Sequence, residues 1–238
     1  VFDMYDVESV EVLRGPQGTL FGRNTIGGVI NVKRTTPTGK WGAKLEGTFG
    51  DQAMTDLKAV INAPLGERGG IKVALKKIES ESHVFNTTLN DRRDFRDSTT
   101  ASITVRYDLT DNTSFQLTYD DYDHQTIAPD NLMVGPFPEP LTGYLASQAD
   151  DWKTSPQLNP LEAYMEGNNT TLNITHDWSG HQIKYTMGIM DYDEEVHESS
   201  WGSAAVFFPV NRDQEFKQTS HELQLSSDSS GPLNYVAG

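Results

Sequence analysis

The sequence predicts a mainly β chain: about eight to nine strands of a transmembrane antiparallel β-barrel, preceded by a short glycine-punctuated segment of different character. Three observations predict this. From Lys40 onward, apolar and polar residues alternate at period two through eight separate segments. The connections between those segments alternate between short and long. Hydrophobic residues make up only 36% of the chain while aromatics reach 10%, as expected for strands with one apolar and one polar face.

The first segment centres on residues 10–33, VEVLRGPQGTLFGRNTIGGVINVK. Two β-branched runs, Val10-Glu11-Val12-Leu13 and Val29-Ile30-Asn31-Val32, flank glycines at Gly15, Gly18, Gly22, Gly27 and Gly28. The pattern reads as strand, glycine-rich crossover, strand. Upstream, Asp6 is expected to cap a helical turn through Val7 to Val10, with Glu8 in the first turn. Gly15 and Pro16 are expected to open a second turn through Thr19, Leu20 and Phe21. Gly22, Gly27 and Gly28 suit positive φ or close backbone approach. Thr35, Thr36, Pro37, Thr38 and Gly39 are turn formers and end the segment.

The alternating segments follow. Ala43, Leu45, Gly47 and Phe49 share a face; so do Leu57, Ala59 and Ile61, then Ile71, Val73 and Leu75. Next come Ala101 to Tyr107, Phe115 to Tyr119, Leu172 to His176, Ile183 to Ile189 and His221 to Leu225, each read at every second residue. The positions between them are mostly polar, among them Lys72, Lys76, Thr104, Thr118, Asn173 and Gln224. Short turns are expected at Pro64 to Gly69, Leu109 to Thr113, Ser179 to His181 and Asp228 to Pro232, with Gly50 to Met54 also short. Long loops are expected from Glu81 to Ser98, Gln125 to Asn168 and Val196 to Lys217. A barrel with one end on each side of a membrane gathers its long loops at one end. Leu233 to Gly238 reads as the opening of a ninth strand. Trp41, Phe49, Tyr107, Tyr119, Tyr122, Trp178 and Tyr192 stand near strand ends, where interfacial girdles form.

Composition excludes several classes. Nineteen basic against thirty-four acidic residues give a net charge of −15, which argues against a nucleic-acid partner. With no cysteine, disulfides and thiolate metal sites are excluded. Mean hydropathy is −0.54, and no run of eighteen apolar residues provides a spanning helix. No hydrolase, zincin, Walker or Rossmann motif occurs, and the six histidines lack ligand spacing, so neither catalysis nor a cofactor nor a metal is expected. The acid-rich runs Asp120 to His124 and Asp191 to Glu198 stand where strands run into outer loops and read as solvated charged loop, with divalent cations as the alternative ligand.

The glycine segment resembles the plug of TonB-dependent outer-membrane receptors. Glu11, Val12, Leu13, Arg14, Gly15 and Pro16 match the first block of that family's pattern. Leu20, Phe21 and Gly22 match the second, with Phe where Tyr is common, and Gly27, Gly28, Ile30 and Asn31 match the third. The resemblance implies that residues 1–38 are the C-terminal part of a plug and residues 39–238 the N-terminal part of its barrel. A plug does not fit inside eight strands, so it implies a barrel of roughly twenty-two strands, with roughly thirteen or fourteen beyond Gly238. It also implies an internal piece, without signal sequence, energy-coupling box or early plug.

By the same resemblance the function is energy-coupled uptake of a scarce substrate, first of all a ferric siderophore, across the outer membrane of a Gram-negative bacterium. The implied partners are the TonB complex, outer-membrane lipid and lipopolysaccharide, and the small-molecule substrate. Arg14 is expected to face the wall and pair with carboxylates there, on strands beyond Gly238, as a forked guanidinium can. In the longest loop, Phe137, Tyr144 and Trp152 are candidate substrate contacts. The competing readings are a passive porin or adhesin barrel, a secreted carbohydrate-binding β-sandwich, and a βαβ crossover in a soluble domain.

Overall fold

The computed structural model describes residues 5–18, 25–81, 83–90, 92, 94–127, 154–155, 162–199, 209–227 and 233–238. Its elements are strands: β1 (Val7–Arg14), β2 (Gly28–Arg34), β3 (Gly42–Phe49), β4 (Thr55–Leu65), β5 (Gly69–Glu81), β6 (Phe85–Asn86), β7 (Asp94–Thr110), β8 (Thr113–Ile127), β9 (Thr154–Ser155), β10 (Glu162–Trp178), β11 (His181–Ser199), β12 (Pro209–Ser227) and β13 (Val236–Ala237). Nine of them form one sheet in the order β13-β12-β11-β10-β8-β7-β5-β4-β3, neighbours running antiparallel. β1 and β2 form a separate antiparallel pair, and β6 and β9 a short parallel one.

Register sorts the side chains of the large sheet onto two faces. On one face Ile61 sits opposite Val73, Val73 opposite Ile103, and Ile103 opposite Tyr119. Along the next row Val105 meets Leu117, Leu117 meets Leu172, and Leu172 meets Met187. This outer face is apolar yet exposed, Leu45 retaining 78% of its surface and Leu223 62%. The opposite face is a polar lattice. Lys72, Thr104, Thr118 and Thr171 make one row, and Ser102, Asp120 and Asn169 another. A sheet with its greasy side outward is inverted relative to a soluble sandwich, and is what a lipid environment demands of a barrel wall.

Most strands run past the roughly 9–11 residues that cross a bilayer: β8 has 15, β7 and β10 have 17, β11 and β12 have 19. The outer apolar set stops at one line, Tyr119–Thr170–Ile189, and two residues on the same face carries Asp121, Asn168 and Asp191. The long loops expected from the sequence are therefore shorter. Strand β8 continues to Ile127, β10 begins at Glu162, β11 runs to Ser199 and β12 starts at Pro209, and the longest connection holds β9. Beyond the apolar band both faces of a strand can be polar, which removes the alternation that marks a strand in sequence. The two acid-rich runs accordingly lie within β8 and β11.

A charge placed in the apolar band tests this orientation. Replacing Leu117 with Arg is expected to cost about 2–4 kcal/mol of folding free energy in lipid vesicles. The neighbouring inward change, Thr118→Arg, is expected to cost much less. Denaturant titration of the vesicle-inserted protein measures both.

The turns at 66–68, 111–112 and 179–180 all lie at one end of the sheet, while the connections at 50–54, 82–93, 128–161 and 200–208 lie at the other. Gly66, with φ of 63°, is left-handed in one tight turn, and Ser179 and Gly180, with φ of 47° and 81°, are both left-handed in another.

Candidate functional site

The β1–β2 pair lies against the polar face of the sheet, which defines that face as inner. Val7 begins a strand, so the helical turn expected from Asp6 does not form. The β-branched alternation of Val7 to Leu13 finds a partner strand in residues 28–34, and those ladder bonds outweigh a local cap signal. Asp6 instead adopts φ of 56° and turns its carboxylate to the wall. Gly28 carries φ of 139°, and a Cβ there would stand 2.5 Å from the Leu13 carbonyl oxygen, so only glycine fits.

The remaining motif residues divide by face. Glu11 and Asn31 are opposite in register, and the Glu11 carboxylate accepts from Asn31 Nδ2 at 3.0 Å and Lys33 Nζ at 2.6 Å. These bonds, that from Lys33 first, hold Glu11 below the usual carboxylate range and raise Lys33. Ile30 lies on the other face and is 67% exposed. Arg14 ends β1 beside Gly15, whose φ is 81°, and its guanidinium is exposed with no acidic partner among the described residues. Leu20, Phe21 and Gly22, with the helical turn expected there, and the loop residues Phe137, Tyr144 and Trp152 lie outside the described residues. Gly27 has no neighbour within 4 Å of a built Cβ, and Pro16 is exposed.

Among the described residues, an arginine that reaches the wall is Arg34, at the end of β2. It forks onto Asp120 of β8, with Nη1 to Oδ1 at 2.7 Å and Nη2 to Oδ2 at 2.6 Å, and Nη1 also donates to Ser102 Oγ at 3.1 Å. Charge-assisted, two-pronged bonds are the strong class, and this one holds Arg34 even further above its ordinary value. A second anchor lies two strands away. Lys72 of β5 pairs with the Asp6 carboxylate and donates to the Thr35 carbonyl and hydroxyl, while the Thr35 amide donates to the Asp6 carbonyl at 3.1 Å. Lys72 and Asp6 side chains keep only 2% and 6% of their exposure. Tyr5 Oη reaches the Ala74 carbonyl at 3.5 Å, and Thr38 N donates to Asn62 Oδ1 at 3.2 Å. The connecting chain then lies so close to the wall that a Cβ on Gly70 would stand 2.7 Å from Gly39 N.

Few apolar side chains are buried between the hairpin and the wall. The buried groups on the inner face of the wall are Lys72, Lys76, Ser98, Ser102, Thr104 and Asp120 with Ala74 and Ile78, and Tyr5 is buried just before the hairpin. Such an interface is held by discrete bonds of a few kcal/mol each, and water can replace them one at a time.

Further along the inner wall, toward the long connections, runs an aromatic row. Tyr122 and Tyr192 flank Gly167 in register, Tyr192 stacks on Phe216 at 5.0 Å, and Tyr122 on His124 at 5.4 Å. Tyr122 and Tyr192 thus point inward rather than joining an outer girdle, because their even-numbered positions fall on the polar face. A Cβ on Gly167 would meet Tyr122 Oη at 2.9 Å and the Asp191 carbonyl at 2.5 Å, so the Tyr122 ring needs glycine beneath it. Gly167→Val is expected to cost about 1–3 kcal/mol through overpacking, read as a lowered unfolding midpoint. A midpoint equal to that of the parent would show that the ring has room to spare. No group of three or more acidic or histidine side chains able to hold a metal ion occurs among the described residues.

Comparison with known proteins places this arrangement. Residues 1–29 match the family described as TonB-dependent Receptor Plug Domain. Over 60 residues the chain is 38% identical to the pesticin receptors of Yersinia enterocolitica and Yersinia pestis, a stretch that is 25% of this chain and 9% of those proteins. The fold matches the ferric yersiniabactin uptake receptor of Y. pestis with a TM-score of 0.78 at 17% identity, covering 95% of this chain and 34% of that one. It matches a siderophore receptor of Acinetobacter baumannii at 0.72 and 14% identity, covering 95% and 33%. The ferric-catecholate import receptor of Escherichia coli K12 matches at 0.70 and 15%, covering 94% and 37%. The chain thus spans about a third of the length of the solved receptors it matches. The solved structures show the fold, and the family match covers residues 1–29.

Proposed function

We propose that this chain, which belongs with the TonB-dependent receptors, supplies the end of a plug (residues 1–38) and the first strands of the barrel (residues 39–238) of an outer-membrane importer in a Gram-negative cell. The observation that carries the reading is the hairpin pinned by Arg34–Asp120 and Lys72–Asp6 to the polar face of a wall whose other face is apolar. An importer must hold its plug firmly at rest and release it under load. Scattered ionic anchors serve that need better than a hydrophobic core, because each fails separately and rehydrates at once. The TonB complex supplies the pull in this proposal, and lipid with lipopolysaccharide surrounds the wall.

The proposed cargo is a ferric siderophore. Support comes from the solved receptors of like fold, whose names state ferric yersiniabactin and ferric-catecholate uptake. Phe137, Tyr144 and Trp152 are the proposed loop contacts. Growth on ferric siderophores as sole iron source is the test. Deleting the gene is expected to abolish growth on one of them, and deleting the TonB gene to do the same. Unchanged growth in the first strain on every siderophore tried would overturn the cargo, and TonB-independent uptake would overturn the energy coupling.

A further inference from the structure

The chain passes from the hairpin to the wall through residues 35–41, and this short linker is held on two strands at once. Lys72 of β5 donates to the Thr35 carbonyl and hydroxyl, and Asn62 Oδ1 of β4 accepts from the Thr38 amide at 3.2 Å. Asn62 and Lys72 are opposite in register, so the two holds share one row of the inner face. Beside them Pro37 is buried. A Cβ built on Gly70 would stand 3.1 Å from Pro37 Cβ, 3.0 Å from Gly39 Cα and 2.7 Å from Gly39 N. A side chain at Gly70 would therefore lift the linker off the wall. Gly39, at φ of 66°, and the Thr38 hydroxyl, which accepts from Lys40 N at 3.3 Å, then turn the chain toward β3.

This linker lies in series with any pull on the plug. Val7 and Arg34 are partners at the open end of the hairpin, so traction from upstream opens the β1–β2 ladder one pair at a time and then arrives at Thr35. The next element is β3, which among the described residues pairs with β4 alone, its first residue Gly42 opposite Asn62. Tension reaching Gly42 would load that ladder next. We infer that residues 35–39 are a strain stop: Asn62, Gly70 and Lys72 pass the load from the linker into β4 and β5, so that traction unravels the plug and leaves the first barrel strand paired. Asn62 and Gly70 are positioning residues for uptake in this role. The inference rests on the import reading, which supplies the pull, and adds the point at which the pull ends.

Single-molecule force spectroscopy tests it on the full-length receptor in lipid bilayers, with traction applied at the N-terminus on the side of the short turns. The parent is expected to lengthen until the chain is taut at the linker and then to hold. Asn62→Leu removes the acceptor for the Thr38 amide, and Gly70→Ala wedges the linker away. Each is expected to add an event of roughly 50 Å before the wall gives way, the release of β3 and the turn at 50–54 at about 3.6 Å per residue. Asn62→Asp keeps the acceptor oxygen and is expected to hold as the parent does. Asn173→Leu, on β10 of the same inner face, removes the acceptor of the Thr186 hydroxyl and is also expected to hold. The added event in the parent overturns the inference. So does its absence from both Asn62→Leu and Gly70→Ala, or its presence in Asn62→Asp or Asn173→Leu. The instrument supplies the traction, so the outcome is independent of TonB and cargo, and siderophore-dependent growth decides the import reading separately.

Discussion

Replacing Lys72 with alanine is expected to free the root of the hairpin from the wall at a cost of about 3–5 kcal/mol, the range for breaking a buried ion pair from one side. Both side chains are almost fully buried, Lys72 at 2% and Asp6 at 6% exposure, so the penalty is not diluted by solvent. The variant leaves a carboxylate buried with the Thr35 hydroxyl as its remaining partner, and strips the Thr35 carbonyl of its lysine donor. The Thr35 amide, which donates to the Asp6 carbonyl, reports the event directly. Its hydrogen-exchange protection is expected to fall roughly 100- to 1000-fold or more, at about tenfold per 1.4 kcal/mol. Amides in the middle of β8 are expected to stay protected, since the wall does not depend on the hairpin for its ladder bonds. The double variant Lys72→Met with Asp6→Leu is expected to recover most of the loss, because an apolar pair of similar volume replaces a buried charge pair at little cost. Unchanged protection at Thr35 in Lys72→Ala would show that the hairpin is held elsewhere.

This anchor was not legible in the sequence, and the reason is physical. Lys72 and Thr35 are 37 positions apart, and Arg34 and Asp120 are 86 apart; no local pattern joins them. The wall was legible because lipid and lumen impose opposite demands on alternate residues, and that demand is written at period two in every strand. It faded where the strands pass the apolar band, as at Glu162 to Asn168, where neither face need be greasy. The hairpin was legible from its β-branched runs and from Gly28, which only its geometry explains. Asp6 differs for a related reason: an acidic residue before a short run satisfies a helix cap locally, but the partner strand that overrules it, Gly28–Arg34, is distant in sequence. Arg14 stood out through its motif; the wall contact seen among the described residues is made by Arg34, which no motif marks. A hint was present: Lys72 stands on the polar face of β5 opposite Thr104, beside Ser and Thr positions of β7, and a buried cation there needs a carboxylate to pair with.

The Arg34–Asp120 pair should be weaker and more informative. Arg34 keeps 37% of its side-chain exposure against 11% for Asp120, so solvent screens one end. Asp120→Asn keeps the shape and removes the charge, and is expected to cost about 1–2 kcal/mol, less than a fully buried charged bond. Arg34→Ala should cost a similar amount, and the two together scarcely more than either, since each removes the same bond. The double-mutant cycle therefore isolates a coupling of about 1 kcal/mol or more, measured as denaturant-induced release of the hairpin amides. Exchanging the charges, Arg34→Asp with Asp120→Arg, is expected to restore only part of it. The forked geometry requires the long arm on the hairpin, and Asp120 lies among Ser102 and Asn169 where an arginine crowds the wall. If hairpin release limits uptake, the single variants should transport faster at a given pull while holding the closed state less well, so that uptake and leakage rise together. Variants that abolish the coupling but leave both rates unchanged would mean that the pair orders the resting state without gating it.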